Sequence, residues 1–311
     1  MTSSAAVSWM ALFMTHYWNL SQAKVVIILA GCLATAFLQL STSPATIAFA
    51  RQLGASGWQL GILGALSTGL LLVQLLAAIV VRKLRHRKPI FMAVTIAQRV
   101  SLLPAALGPW LFPQIEDAIW VWVLLACMTS SYLLGHFTNP LWLSWMGDYL
   151  PHHEINRFWG NRELWMQWTA AVTLFGTACL FFQSGLEVRQ AFALVITVGA
   201  ICGVADILLF SRIYEPPAHV SESIQLRQFF LAPFQPRDFR SFIRFSCAFQ
   251  FAANVGSPFI SLLMLEYCGM NLFQVLLAWS FSWVGGDEIA ARSDASAAHG
   301  AHSHASRAAS P

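Results

Sequence analysis

The residues WQLGILGALSTGLLLVQLLAAIVVRKLRHRKPI, numbers 58–90, decide the fold. Residues 58–81 of this stretch carry no charged side chain, and a helix across a bilayer needs about 20 mainly apolar residues. A basic cluster follows at once, formed by Arg82, Lys83, Arg85, Arg87 and Lys88. Because short cytoplasmic loops of membrane proteins retain Lys and Arg, the stretch predicts a spanning helix that ends in the cytoplasm.

Six further apolar segments surround this one, and each is long enough to cross a membrane. They lie at 24–50, 89–112, 118–143, 163–184, 188–213 and 241–266. The chain is 57% hydrophobic and only 10% charged, whereas soluble domains carry about 25% charged residues. The sequence therefore predicts an all-α, polytopic membrane helical bundle, with the lipid bilayer as its surroundings.

The remaining basic residues are concentrated in alternate connections. The connections after the fourth and sixth segments contain Arg157, Arg162, Arg212, Arg227, Arg237, Arg240 and Arg244. The intervening connections contain few basic residues, among them Arg51 and Arg189. This alternation predicts a multi-pass protein of the inner (plasma) membrane with a cytoplasmic N-terminus. The net charge of +4 is divided among separate loops, so no nucleic-acid partner is expected.

The regions outside the apolar segments differ in character. Residues 1–23 predict either a cytoplasmic leader or a helix lying in the membrane interface, and the sequence leaves both open. Residues 214–240 contain several prolines and predict a cytoplasmic central loop. Residues 241–278 predict a seventh helix and the start of an eighth. Residues 279–311 are dominated by Ala, Ser and His and predict a disordered tail.

Two passages resemble the major facilitator superfamily of secondary transporters. The run NPLWLSWMGDYLP at 139–151, followed by RFWGNR at 157–162, resembles the passage between helices 4 and 5 of that superfamily. One bacterial branch reads W-x-S-W-x-x-D-x-x-P there. Residues 78–88 are similar to the loop between helices 2 and 3, although Arg82 stands at the usual Asp and Arg85 at the usual Gly.

The resemblance covers about residues 24–278 and implies a six-helix N-terminal bundle at 24–213, with one to two helices of a second half. It implies a transporter that moves a small solute by alternating access. We expect a truncated or frameshifted copy that is inactive alone, unless a second half or a second copy completes the bundle. A non-transporting membrane scaffold or assembly protein is the alternative. The resemblance assigns structural or gating roles to Arg82, Arg85, Arg87 and Lys88.

Two charged residues fall inside predicted spans. Arg99 lies about ten residues into the third segment, and Asp206 lies near the end of the sixth. A charge near the bilayer centre costs about 2.5–3.5 kcal/mol and therefore tends to find a partner. In the family, helices 3 and 6 are neighbours away from the central cavity. We therefore expect an ion pair with a structural role, in preference to a substrate or proton site.

In the family, helices 1, 4 and 7 line the solute pathway. The residues at matching positions are mainly amides and one aromatic group: Gln39, Asn139, Trp142, Gln250 and Asn254. Uncharged amides favour a neutral polar or amphiphilic solute, and interhelical hydrogen bonds of roughly 0.6 kcal/mol each are the alternative explanation. At the cytoplasmic end, we expect Asp148 to form a structural or gating network with Arg157 or Arg162.

Catalytic functions fit the sequence less well. Residues 54–57 match the G-x-S-G of rhomboid intramembrane proteases, but Ser56 is predicted at the opposite surface from His136, the histidine well inside a span. His153 and Glu154 begin an H-E-x-x-H pattern, in which Arg157 replaces the second histidine. A P-loop is absent from the sequence as well. No enzyme activity, cofactor or metal is expected.

Overall fold

The computed structural model describes residues 19–151, 153–183, 185–217 and 235–282, and the regular structure in these ranges is helical. Six spans are long and apolar enough to cross a membrane. The first three spans consist of two helices each: Leu20–Thr42 with Pro44–Gln52, Gly57–Gly69 with Leu72–Val81, and Lys88–Val100 with Leu103–Leu111. The fourth, fifth and sixth are single helices: Asp117–Tyr149, Ile155–Gln183 and Val188–Phe210. The predicted all-α membrane bundle is confirmed.

The seventh predicted segment, 241–266, also forms a helix, Arg237–Leu262, and a π-helical turn at Leu263–Tyr267 follows it. This helix is not among the six apolar spans, because polar side chains such as Arg244 interrupt it. The short helix Leu272–Ser282 lies where the start of an eighth helix was predicted. Most of the predicted leader, central loop and tail lies outside the described residues, at 1–18, 218–234 and 283–311.

The fourth and fifth helices extend further than the apolar pattern predicts. The fourth is predicted to end at residue 143 and continues to Tyr149, and the fifth is predicted to begin at residue 163 and begins at Ile155. Trp145 and Met146 in the added part of the fourth helix are 0% exposed. Tertiary packing of this kind stabilises a helix beyond the reach of local propensity. The extensions place the polar motif at 139–151 largely on a helix and put residue 162 inside the fifth span.

At the breaks in the first and third spans, side-chain hydroxyl groups donate hydrogen bonds to backbone carbonyl oxygens of the preceding helix. Pro44 begins the second part of the first span, and Thr46 Oγ1 donates a hydrogen bond to Ser41 O at 2.8 Å. In the third span, Ser101 Oγ donates to Gln98 O at 2.7 Å. A spanning helix tolerates an interruption where neighbouring groups satisfy its backbone in this way.

The packing order brings distant segments together. The sixth helix packs along the first, the first contacts the fifth, and the fourth contacts the second and third. The third span also packs against the sixth, as the family resemblance implies. One apolar cluster contains the stacked rings of Phe49 and Phe192, with centroids 3.9 Å apart. A second cluster surrounds Trp145, Phe91 and Phe210.

Ion pairs join different spans at both ends of the bundle. The connections after the second, fourth and sixth spans share one end, called the basic end below. At the opposite end, Arg189 Nη2 lies 2.6 Å from Asp117 Oδ2, which joins the sixth span to the fourth. Arg51 Nη2 lies 2.5 Å from Glu266 Oε1 and joins the first span to the seventh helix. The predicted alternation of loops between two ends is therefore observed.

Candidate functional site

Two cavities with both polar and apolar lining residues lie in the helical bundle. The larger, named the Arg162 cavity, has a volume of about 500 Å³ and is lined by residues from all six spans. The smaller, named the Gln39 cavity, has a volume of about 380 Å³ and lies toward the end of the bundle opposite the basic end. Leu38 and Tyr132 line both cavities. The two spaces are therefore neighbours along the direction of the spans.

Arg99 and Asp206 form a buried ion pair in the wall of the Arg162 cavity. Arg99 Nη2 donates a hydrogen bond to Asp206 Oδ2 at 2.9 Å. The two residues are 7% and 1% exposed. The guanidinium carbon of Arg99 lies 4.3 Å from the centroid of the Phe37 ring, a cation–π contact. The contact that the sequence predicts between these two residues is confirmed.

Glycines make room for the polar side chains of neighbouring spans. A Cβ atom at Gly203, one turn before Asp206, would lie 2.4 Å from Arg99 Cδ. A Cβ atom at Gly135 would lie 2.6 Å from the amide nitrogen of Gln98. The sequence does not reveal the role of these two glycines, because a glycine inside an apolar segment does not indicate which side chain it faces.

Arg162 extends into the cavity from the fifth span and is held by aromatic rings. Its guanidinium carbon lies 4.8 Å from the Trp142 ring centroid and 5.3 Å from that of Trp159. A Cβ atom at Gly31 of the first span would lie 2.9 Å from Arg162 Nε. The Nε atom is buried and has no hydrogen-bond partner in the described part of the chain.

His136 joins the fourth span to the break in the second. Its Nε2 atom lies 2.8 Å from Ser67 O, and its Nδ1 atom lies 3.0 Å from the side-chain Nε2 of Gln74. A carbonyl oxygen only accepts, so His136 Nε2 carries the hydrogen, and Nδ1 accepts from Gln74. Just beyond the break, the Leu71 N–H donates to Thr68 O and not to Ser67 O. The neutral imidazole therefore satisfies a backbone oxygen that the broken helix releases.

The five predicted pathway residues do not share one site. Asn139 and Trp142 line the Arg162 cavity, whereas Gln39 lines the smaller cavity. Gln250 is exposed on the seventh helix and lines neither cavity. The side chain of Asn254 lies outside the described residues. The structure thus brings three of the five residues to two adjacent cavities.

Arg87 is the centre of the charged contacts at the basic end. It is 2% exposed, and its Nη1 donates to Ser144 Oγ and to Asp148 Oδ2, both at 2.7 Å. Its backbone N–H donates to Glu215 Oε1 at 2.5 Å. The loop of the basic cluster contains no acidic residue, and the acidic partners of Arg87 come from the fourth helix and from the segment that follows the sixth.

The predicted ion-pair partner of Asp148 is wrong. The sequence predicts a network with Arg157 or Arg162, whereas Asp148 pairs with Arg87 in the structure. Arg157 is exposed, and Arg162 lies in the cavity. The prediction fails because it treats residues 144–162 as a loop, and two helices extend into that range.

Lys88, Arg82 and Arg85 belong to the same basic cluster as Arg87 but are less buried. Lys88 Nζ donates to the carbonyl oxygens of Ser211 and Ile213, at 2.7 and 2.8 Å, just beyond the C-terminal end of the sixth helix. A cation is favourable at that position because the last carbonyl groups lack helical partners. Arg82 and Arg85 are exposed.

Lys24 and Glu154 form a second contact at the basic end, between the start of the first span and the connection after the fourth. The hydrogen bond and the positive charge of Lys24 hold the pKa of the exposed Glu154 carboxyl below its usual value. The contact therefore favours the ionised carboxylate.

Ser56, which the sequence places in a G-x-S-G pattern, has a local partner. Its hydroxyl donates to Gln59 Oε1 at 2.8 Å, and its backbone N–H bonds the same oxygen in a capping box. This capping box stabilises the N-terminus of the helix Gly57–Gly69.

Six apolar spans, an intramembrane ion pair and a polar cavity define the class of this protein: it is an all-α, multi-pass membrane protein. Neither the known protein-family models nor the curated protein sequences contain a match to the chain. The cavities and their charges are therefore the basis for a functional proposal.

Proposed function

We propose that the chain is a membrane transporter of the major facilitator type, which moves a small solute by alternating access. The observation that carries this proposal is the pair of polar-lined cavities that share Leu38 and Tyr132 and extend toward opposite ends of the bundle. A solute that passed from one cavity to the other would cross the level of these two side chains. The resemblance at residues 139–151 supports the same function.

Polar groups inside a membrane are expensive, and they persist mainly where they serve structure or transport. The Arg99–Asp206 pair satisfies itself and fits a structural role. Asn139 and Arg162 face the cavity instead. Together with the rings of Trp142 and Tyr132, they offer a solute both polar and apolar contacts, as ligand sites in proteins commonly do.

The broken spans also support transport. Transporter sites are typically formed where spanning helices are discontinuous, because released backbone groups and mobile helix halves meet there. The first span breaks at Ser43, which lines the Gln39 cavity. The second breaks after Gly69, between Ser67 in one cavity and Gln74 in the other.

A non-transporting scaffold is the second candidate, and one observation favours it. The seventh helix exposes a series of aromatic side chains, of which Phe245 is 68% exposed and Phe251 is 75% exposed. Such a surface suits contact with another membrane protein as well as with lipid. A scaffold would need a partner but no solute.

Solute-dependent stability separates the two candidates. The full chain, purified in mild detergent, is heated with a panel of neutral, cationic and anionic small solutes. A solute that binds the native state at a hundredfold excess over its Kd stabilises it by about 2.7 kcal/mol and raises the unfolding midpoint. Asn139→Leu should abolish the shift, whereas Ser130→Leu, an exposed position on the same helix, should retain it. No shift with any solute, together with a stably co-purifying partner, would favour the scaffold.

A further inference from the structure

The Arg162 cavity contains one more cationic than anionic side chain. Among its described lining residues, the ionised groups are Arg99, Arg162 and Asp206. Arg99 and Asp206 are paired at 2.9 Å. His136 is neutral in its hydrogen-bonded arrangement, because Nδ1 accepts and Nε2 donates. Arg162 therefore supplies a positive charge that no lining residue balances.

Arg162 is held by aromatic contacts and not by an acid. Trp142 and Trp159 contact the guanidinium through their ring faces, which leaves its N–H groups available in the plane of the group. Nε is buried and has no acceptor among the described residues. Glu163, the next residue, is exposed and does not line the cavity. A buried N–H donor without an acceptor is unfavourable, and a ligand that supplies an acceptor removes this cost.

We propose that the Arg162 cavity binds a small organic anion, whose carboxylate or phosphate group pairs with the Arg162 guanidinium while its apolar part lies against Trp142 and Met166. The guanidinium matches such oxygen pairs because its N–H donors lie in one plane. A volume of about 500 Å³ accommodates a molecule of this size. The inference rests on the proposed transport function and names its substrate class.

This solute differs from the neutral one that the sequence favours. The amides Gln39 and Asn139 carry no charge, and the apolar pattern predicts that Arg162 lies in a loop at the membrane surface. The fifth helix begins at Ile155, so residue 162 lies about two turns inside it and faces the cavity. A single helix boundary therefore changes the expected charge of the ligand.

Three probes of nearly equal shape test the charge of the ligand: benzoate, benzamide and benzylammonium. Each is titrated against the full chain in detergent without added lipid, and binding is followed by tryptophan fluorescence and by the unfolding midpoint. Benzoate should bind at least about tenfold more tightly than benzamide, the factor that corresponds to 1.4 kcal/mol. Benzylammonium should bind more weakly than either probe.

Three variants assign the effect to Arg162. Arg162→Gln should remove the preference for benzoate, and Arg162→Lys should retain part of it, because the charge stays while the planar fork is lost. Arg157→Gln, an exposed position on the same helix, is the matched control and should bind benzoate like the parent. Arg162→Gln should also be at least as stable as the parent, because it removes a cation that has no ion-pair partner among the described residues and whose Nε donor is buried without an acceptor there.

A free organic acid and a phospholipid headgroup share the chemistry of the proposed ligand. Repeating the benzoate titration in nanodiscs separates these sources. If anionic phosphatidylglycerol weakens benzoate binding relative to phosphatidylcholine alone, a lipid headgroup occupies the anion site. Equal binding in both lipids identifies a soluble anion. Either result supports an anion site.

Equal affinity for benzoate and benzamide, or benzoate binding that Arg162→Gln leaves unchanged, overturns the inference. If neutral solutes bind and Asn139→Leu abolishes that binding, the transporter proposal stands and the anion site fails. If no solute of any charge binds, both fail.

Discussion

Removing one partner of the Arg99–Asp206 pair should destabilise the protein more than removing both. The two groups are 2.9 Å apart and less than a tenth exposed. Asp206→Asn leaves a guanidinium that stays charged, and an uncompensated buried charge costs about 3–5 kcal/mol. The contact between Arg99 and the Phe37 ring is present in the parent and in the variant, so it does not alter this difference. We therefore expect a loss of about 3–5 kcal/mol for Asp206→Asn.

The complementary change should be less severe. Arg99→Gln leaves a buried carboxyl group, which can take up a proton and become neutral, so the expected loss is about 1–3 kcal/mol. The double variant places two amides at the same positions, where they can share a hydrogen bond. It should remain within about 1–2 kcal/mol of the parent. Its loss is then smaller than that of Asp206→Asn alone.

The assay is reversible unfolding in mixed micelles, followed by tryptophan fluorescence for the parent, both single variants and the double variant. Arg85→Gln, an exposed change of the same type, is the control and should alter stability by no more than about 0.5 kcal/mol. Additive losses in the double variant would refute the pairing, because independent sites add and interacting sites do not.

Three further predictions concern the surrounding contacts. Gly203→Ala should destabilise the protein by about 1–3 kcal/mol, because the new Cβ would lie 2.4 Å from Arg99 Cδ of the third span. Gly176→Ala is the control and should not destabilise the protein, because nothing lies within 4 Å of a Cβ atom there. Equal losses in the two variants would contradict the explanation. Arg87→Gln should lower stability by about 1.5–3 kcal/mol and increase proteolysis at the basic end, through loss of charge-assisted hydrogen bonds; unchanged cleavage would contradict this. Glu154→Gln should be less stable than the parent at neutral pH. Contact with Lys24 lowers the pKa of Glu154 in the folded state. The stabilisation by this contact is therefore complete above the ordinary pKa of 4.5 and is lost as the pH falls through the lowered pKa. At such acidic pH the unfolding midpoints of Glu154→Gln and the parent should be equal, and a difference that persists there would contradict the explanation.

Much of the fold follows from the sequence because membrane spans depend on length and hydropathy. The six apolar spans occur close to the predicted positions, for example Gly57–Val81 against the predicted 58–81. The contact between Arg99 and Asp206 is also predictable, because two opposite charges at similar depth have few other partners inside a bilayer. In these cases local composition and the low polarity of the membrane determine the outcome.

The cavity could not be predicted in full, for reasons of packing. The fourth helix continues from the predicted end at residue 143 to Tyr149 because this last part packs in the core, and a hydropathy pattern does not report that packing. The acidic partners of Arg87 come from the fourth helix and from the segment after the sixth, at separations of 61 and 128 residues. The role of His136 depends on a break in another span that no proline marks. Each of these features requires the tertiary arrangement.

Accessibility of single cysteines on the two cavities tests the transporter proposal most directly. In a background with the six native cysteines replaced, Ser67→Cys in the Gln39 cavity and Ala34→Cys in the Arg162 cavity are labelled with a membrane-impermeant thiol reagent from each side of sealed vesicles. Val172→Cys, 66% exposed on the fifth span, is the control that should stay unlabelled in lipid. A bound solute should raise labelling at one cavity position from one side and lower it at the other position from the other side. Labelling at both positions that no solute changes would contradict alternating access.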